Sequence, residues 1–123
     1  MNKYRNQKVT IDGELFDSKG EADRYAQLKL MARARLIQSV SRQPRFVLCV
    51  NAQEVCEYRA DFAYFENGKQ VIEDFKGVLT PEFRLKRKLF NALYPNLELR
   101  VTNRKGEVLK IRTRKASKLK VAA

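Results

Sequence analysis

The stretch from Tyr58 to Gly77, YRADFAYFENGKQVIEDFKG, does most to limit what this chain can fold into. Two runs of alternating β-favouring residues flank Asn67-Gly68, one holding Phe62, Tyr64 and Phe65 and the other Val71, Ile72 and Phe75. An Asn-Gly pair between such runs is the strongest short-range hairpin signal. A two-residue turn there sets Glu66 against Lys69 and, counting outward, Asp61 against Asp74. Cross-strand neighbours on one face have Cβ atoms roughly 5 Å apart. Period-two alternation adds Lys76 to that face, two residues beyond Asp74. Facing like charges destabilise a sheet unless something neutralises them. A divalent cation would do so: Mg²⁺ is held by one or two carboxylates and keeps several waters, and a lysine beside it can touch a phosphate oxygen or an attacking water. The other reading is a solvated hairpin face with ordinary surface charges; two further acids, Glu66 and Glu73, show that acids are common in this stretch, and Lys76 at its spacing weighs against it.

A chain of 123 residues, 44% of them hydrophobic, fits one folded domain with a modest core. Its formal net charge is +12, which points to a polyanionic partner. The excess is uneven, with 13 basic against 11 acidic residues up to Gly77 and 13 against 3 beyond it. Acids in the first part and cations in the second suit a metal site that meets a phosphate-binding surface. A basic tail on a protein of any function, or a ribosomal-type RNA binder, gives the same count. There is no histidine, which excludes Ser-His-Asp and Cys-His hydrolases, zinc-histidine chemistry and histidine-based nucleases. Cys49 and Cys56 are too few for a zinc site or a disulfide framework and read as free thiols. No GxxxxGK loop occurs, so ATP is not expected. No apolar run reaches membrane-spanning length, and MNKYRNQKV carries no apolar signal core. The expected location is the cytoplasm, with no membrane partner.

Along the chain, KVTIDGELF alternates around Asp12-Gly13 and predicts a small ribbon. Ser18-Lys19-Gly20-Glu21 has the form of a capping box and opens a helix that runs to about Ala34, with Tyr25, Leu28 and Ala32 as its buried stripe. Glu21 lies one turn before Tyr25 on that stripe, so it is either the capping acid or part of a site. Leu36 and Ile37 are expected to close the helix against the core. Phe46 to Val50 reads as a buried strand, followed by the two strands of the hairpin. Thr80-Pro81-Glu82 opens a second helix with threonine as N-cap and proline in the first turn. Phe83, Phe90 and Leu93 lie near its inner face, Lys86 at the inner boundary, and Arg84, Arg87 and Lys88 elsewhere. Leu97 to Val101 predicts a half-buried strand and Val108 to Arg114 another alternating run, ahead of a basic end. A helix between the third and fourth strands makes that connection a crossover, which permits a parallel pair in a mixed sheet.

Helix, three strands, helix, strand, with Ala60-Asp61 on the second strand and Asp74-Phe75-Lys76 on the third, resembles the PD-(D/E)XK (restriction-endonuclease-like) core; alanine stands where that superfamily has proline. FDSKGEA, QPRF at Gln43 to Phe46, YRADFAY, VIEDFKG and LKRKLFNALYP are together similar to a small phage and prophage family assigned as endonucleases, over most of residues 4 to 102. The resemblance implies an α/β fold of αβββαβ order, its mixed sheet flanked by helices, with an N-terminal β-ribbon. Residues 1 to 103 would form the nuclease-like domain and 104 to 123 a basic C-terminal extension. It also implies a metal-dependent endodeoxyribonuclease in a bacterial host cell. Asp61, Asp74 and Glu21 would hold Mg²⁺ or Mn²⁺, Lys76 would position or activate water and offset charge on the phosphate, and Gln43 would shape the site. Lys86, Arg84, Arg87, Lys110, Arg112 and Arg114 would contact DNA. No base-reading motif is present, so DNA structure or nicks rather than a long sequence are the expected target. A single site per small domain leaves a homodimer open for cutting both strands. Two other classes remain: a non-catalytic basic DNA- or RNA-binding protein that keeps the nuclease fold, and a ribonuclease-H-like resolvase built on carboxylates without an obligatory lysine.

Overall fold

The computed structural model describes residues 8–11, 13–76, 79–103 and 106–109. Lys110, Arg112, Arg114 and most of the basic extension lie outside them. Strands β1 (Val9–Ile11) and β2 (Glu14–Phe16) form the small antiparallel ribbon expected around Gly13. Helix α1 (Lys19–Arg33) follows, with Ser18 as N-cap accepting from the Glu21 N–H at 3.1 Å. Next come β3 (Gln38–Arg42), β4 (Arg45–Val50), β5 (Gln53–Arg59), β6 (Phe62–Glu66) and β7 (Lys69–Phe75). Helix α2 (Pro81–Leu93) and strand β8 (Glu98–Thr102) complete the described chain.

The β6–β7 hairpin has the predicted register, from Glu66↔Lys69 to Phe62↔Glu73. Asn67 and Gly68 both take positive φ, 54° and 78°, the backbone of a type I′ turn, whose twist matches that of the strands it joins. Strand β8 returns through α2 and pairs with β7 in parallel, giving a four-stranded mixed sheet in the order β3-β6-β7-β8. Helix α1 packs on one face, where Leu28 meets Ile37, Phe62, Tyr64 and Val71. Helix α2 packs on the other, where Phe83 and Phe90 join Leu48, Tyr58, Ala63, Ile72 and Val101. The fold is a mixed α/β arrangement with two helices on a mixed sheet. Among the described residues no helix is long and apolar enough to cross a membrane.

Five strands rather than three lie between the helices. The two not foreseen are β3, whose QSVSR sequence carries little apolar signal, and β5, paired with β4 in a separate antiparallel ribbon. Phe46 to Val50 is therefore not a buried strand: only Leu48 is fully enclosed, because the other face of the ribbon meets solvent. Leu36 is likewise exposed and only Ile37 reaches the core. The ribbon grows out of the sheet at Gln43–Pro44 and Ala60–Asp61. The Gln43 N–H donates to the Asp61 carbonyl (2.8 Å) and the Ala60 N–H to that of Pro44 (3.1 Å), so the β3/β6 pair continues into β4/β5 while bending away from β7. Gln43 sits at φ 54°, in the left-handed region, to make this bend. Beyond Phe62 the end of β7 loses its neighbour. Only the β6 side is lost: the Asp61 N–H still donates to the Glu73 carbonyl at 3.2 Å, and β7 stays paired with β8 through Phe75↔Thr102, so the sheet splits between Asp61 and Asp74.

Candidate active site

Where β6 leaves β7, the Phe75 N–H has no strand carbonyl to meet, and the Asp61 side chain takes that place, Oδ2 accepting at 2.7 Å. This brings the Asp61 carboxyl into hydrogen-bonding contact with Asp74. Asp74 is 1% exposed, and its Oδ2 also accepts from the Tyr58 hydroxyl at 2.5 Å. Burial first, and Asp74 beside it second, push the Asp61 carboxyl up to about 9, so at neutral pH the two aspartates share a proton. Lys76 Nζ lies 3.5 Å from Asp74 Oδ2 and 4.6 Å from the Phe83 ring centre, which aims the amine along the split. The three residues that the hairpin register placed together do converge.

Glu21 approaches this corner from the first turn of α1, near enough for the charge of Asp74 to act on its carboxyl. It is 6% exposed, and its Oε1 is buried with no hydrogen-bond partner among the described residues. Burial, then Asp17, with Asp74 also contributing, raise its carboxyl above the ordinary value against the opposing pull of Arg42. The backbone of Glu21, not its carboxylate, serves the Ser18 cap. Gly20 makes this approach possible, since a Cβ there would stand 2.7 Å from the Phe75 ring. The Arg42 guanidinium lies 3.8 Å from Glu21 Oε1 and 3.9 Å over the Phe16 ring, while donating to the Leu15 carbonyl at 2.9 Å. It ties the β1–β2 ribbon to the acidic corner.

Other expected residues are placed unevenly. Gln43 shapes the corner through its backbone. Lys86 reaches across from α2 to donate to the Glu57 carbonyl at 3.1 Å, and Arg84 is exposed on the same helix. Arg87 is a correction: at 6% exposure it belongs to the packing of α2 and offers no surface for a polyanion. A groove of about 440 Å³ runs from Lys76 and Tyr58 between β5 and the start of α2, with Arg45, Arg59 and Lys86 also lining it. Tyr58, Arg42, Arg45 and Arg59 were not foreseen as site residues. Tyr58 stands in YRADFAY, three residues before Asp61, and could have been found by asking which side chain supplies a donor to buried Asp74.

Residues 1–110 match the family described as "Protein of unknown function (DUF1064)". The chain belongs to the DUF1064 family. No curated protein matches it. In this DUF1064 chain the match covers Glu21, Gln43, Asp61, Asp74, Lys76 and Lys86 alike.

Can such a corner hold a metal? Among the described residues no three His, Cys, Asp or Glu side chains converge closely enough to hold an ion by themselves. The donor set that is present, the Asp61 and Asp74 carboxylates with Glu21 nearby, its Oε1 without a hydrogen bond among those residues, still fits Mg²⁺, which needs one or two carboxylates and keeps its waters. Binding would expel the proton that the two aspartates share.

That proton has a measurable consequence. The folded-state carboxyl of Asp61 is raised from 3.8 to about 9, so its contribution to stability is full below the ordinary aspartate value and is lost as pH rises towards 9. With chelator present, the melting temperature of the wild type should fall between pH 5 and 9 relative to that of Asp61→Asn, whose neutral amide has no proton to lose. Parallel profiles for the two proteins would refute the shared proton.

Proposed function

We propose that this DUF1064 protein is a metal-dependent endodeoxyribonuclease of the PD-(D/E)XK type, and that it cuts DNA by structure or at nicks rather than by sequence. The observation that carries this reading is the meeting of Asp61, Asp74 and Lys76 at the point where the sheet splits, with Glu21 nearby, its buried Oε1 lacking a hydrogen bond among the described residues and only loosely paired with Arg42 at 3.8 Å. With the β4–β5 ribbon set aside, the described elements run α1, β3, β6, β7, α2, β8, which agrees with the αβββαβ order of that superfamily. The net charge of +12 supplies attraction to a polyanion.

In this reading Asp61 and Asp74, with Glu21, would hold Mg²⁺ or Mn²⁺. When bound, such an ion would supply Lewis acidity towards a phosphoryl oxygen and would lower the pKa of water. Lys76 acts as a fixed cation: held between Asp74 and the Phe83 ring, its amine faces the groove where the phosphate would lie and stabilises charge that develops there. Tyr58 fixes the orientation of Asp74 through its hydroxyl. The Ser18 cap and the close packing of Gly20 on Phe75 hold Glu21 at the corner. No histidine is needed at any point.

The test is incubation of the purified protein with supercoiled plasmid and with branched synthetic DNA, in Mg²⁺, in Mn²⁺ and in chelator. Metal-dependent nicking or linearisation is the expected result. Tight, salt-sensitive binding without cleavage in either metal would replace this reading with that of a nuclease fold used for binding alone.

A further inference from the structure

Beyond the carboxylate corner, the groove between β5 and the first turn of α2 has no part in metal binding, yet it opens directly from it. Lys76 stands at the junction, its amine near Asp74 on one side and lining the groove on the other. Three more cations line it: Arg45 on β4, Arg59 on β5 and Lys86 on α2. Two acids are there as well, Glu57 and Glu82. Both are solvent-exposed, and each is already engaged by a cation, Glu57 with Arg45 at 3.9 Å and Glu82 with Lys86 at 3.4 Å. Exposed pairs of this kind exchange readily for a stronger anion.

The charge of Arg59 also reaches Glu21, so this arginine looks onto both the corner and the groove. Lys86 spans the groove by its hydrogen bond to the Glu57 carbonyl, tying its two walls together. A volume of about 440 Å³ lies near the small end of ligand-site volumes. It takes a nucleotide or so of a single strand and cannot admit a duplex, whose major groove alone is roughly 12 Å wide.

We propose that the β5–α2 groove, with Arg45, Arg59 and Lys86 on its phosphates, receives one unpaired strand leading away from the phosphate at Lys76, so that DNA with a single-stranded arm is the favoured substrate. This rests on the nuclease reading for the identity of the phosphate at Lys76. The groove itself can be tested without chemistry. In addition, α2 directs its Thr80-capped N-terminus to this side, and a helix N-terminus favours anions.

The experiment is anisotropy titration in chelator of a labelled blunt duplex and of the same duplex carrying an unpaired arm, over a range of salt, with wild type and with Arg45→Ala/Arg59→Ala. Both arginines are exposed, so the variant should melt like the wild type. Wild type is expected to bind the armed DNA roughly tenfold more tightly, and the variant to lose that preference. The salt slope on armed DNA should fall by about 1.4, for two single-strand phosphate contacts at about 0.7 each. Equal affinity of wild type for the two DNAs, or a preference that survives in the variant, overturns the groove assignment even if plasmid cleavage is intact. Loss of the preference in the variant supports it, even if neither DNA is cut when metal is restored.

Discussion

Replacing Lys76 by alanine is expected to reduce metal-dependent DNA cleavage by roughly a hundredfold or more, the usual cost of removing one preorganised stabiliser of developing charge. The position of the amine argues for an effect of that size. It is half-buried, 3.5 Å from Asp74 Oδ2 and stacked over Phe83, so it spends no energy in finding its place when a phosphate arrives. Solvent would supply a mobile dipole instead of a fixed charge. DNA affinity should change little, since Lys76 is one of 26 basic residues and the groove keeps Arg45, Arg59 and Lys86. Lys76→Met is the companion variant: it keeps the aliphatic stem on Phe83 while removing the charge, and should be as inactive as Lys76→Ala. Asp61→Ala and Asp74→Ala should fall to a similar level, with the added loss of metal binding. Single-turnover cleavage and anisotropy on one DNA separate these effects. Near-normal cleavage by the Lys76 variants would end the proposed role, and near-normal cleavage by all three alanine variants would end the nuclease reading.

What could be read from the chain depended on how local its signals were. The Asn67-Gly68 turn fixed a register, and the register alone carried Asp61, Asp74 and Lys76 to one place. The second hairpin was invisible because its turn is Asn51-Ala52, with no glycine, although both residues adopt positive φ, 51° and 63°. An alanine in that region costs about 1–2 kcal/mol, a conformation no sequence rule would assume. The split of the sheet at Asp61 follows from that hidden ribbon, so the reason Asp61 and Asp74 are not a regular β6–β7 pair was hidden too. Glu21 could be narrowed to a cap or a site because the Ser-x-x-Glu pattern serves either. Only the fold decides, since Gly20 must lie against Phe75, which is 55 residues away along the chain. Arg87 was misjudged as outward-facing: it borders the Phe83–Phe90 stripe, where a long side chain can lay its stem along apolar surface. Glu73 carried no sequence signal of its place at all.

In the sequence Glu73 is simply a further acid beside Glu66, with no assigned face, yet its side chain is fully buried on the α1 face of β7. Arg24 of α1 grips it with two bonds, Nε to Oε2 at 2.6 Å and Nη2 to Oε1 at 2.9 Å, while Tyr64 Oη donates at 2.7 Å and Thr102 Oγ1 at 3.2 Å. The bidentate pairing raises the arginine's already high pKa, chiefly through the hydrogen bond to Glu73. Glu73→Ala should therefore destabilise the protein by about 3–5 kcal/mol, the cost of leaving a buried charge without its counterpart. Against a total stability of about 5–15 kcal/mol this threatens the fold. Arg24→Met should cost a similar amount, and the double variant Arg24→Met/Glu73→Met should recover much of the loss, because an apolar pair of similar volume removes both desolvation penalties at once. Denaturant unfolding of the two singles and the double gives the coupling directly; additive losses would show that the pair is not the tie described. The network also bears on function. Arg24 lies three residues after Glu21 on the same helix, so its grip on Glu73 anchors α1 to β7, which carries Asp74. A protein with Arg24→Met/Glu73→Met, stable but without the directional tie, should bind Mn²⁺ more weakly than wild type. Unchanged affinity would mean that the Ser18 cap and the Gly20 contact suffice to hold Glu21 at the corner.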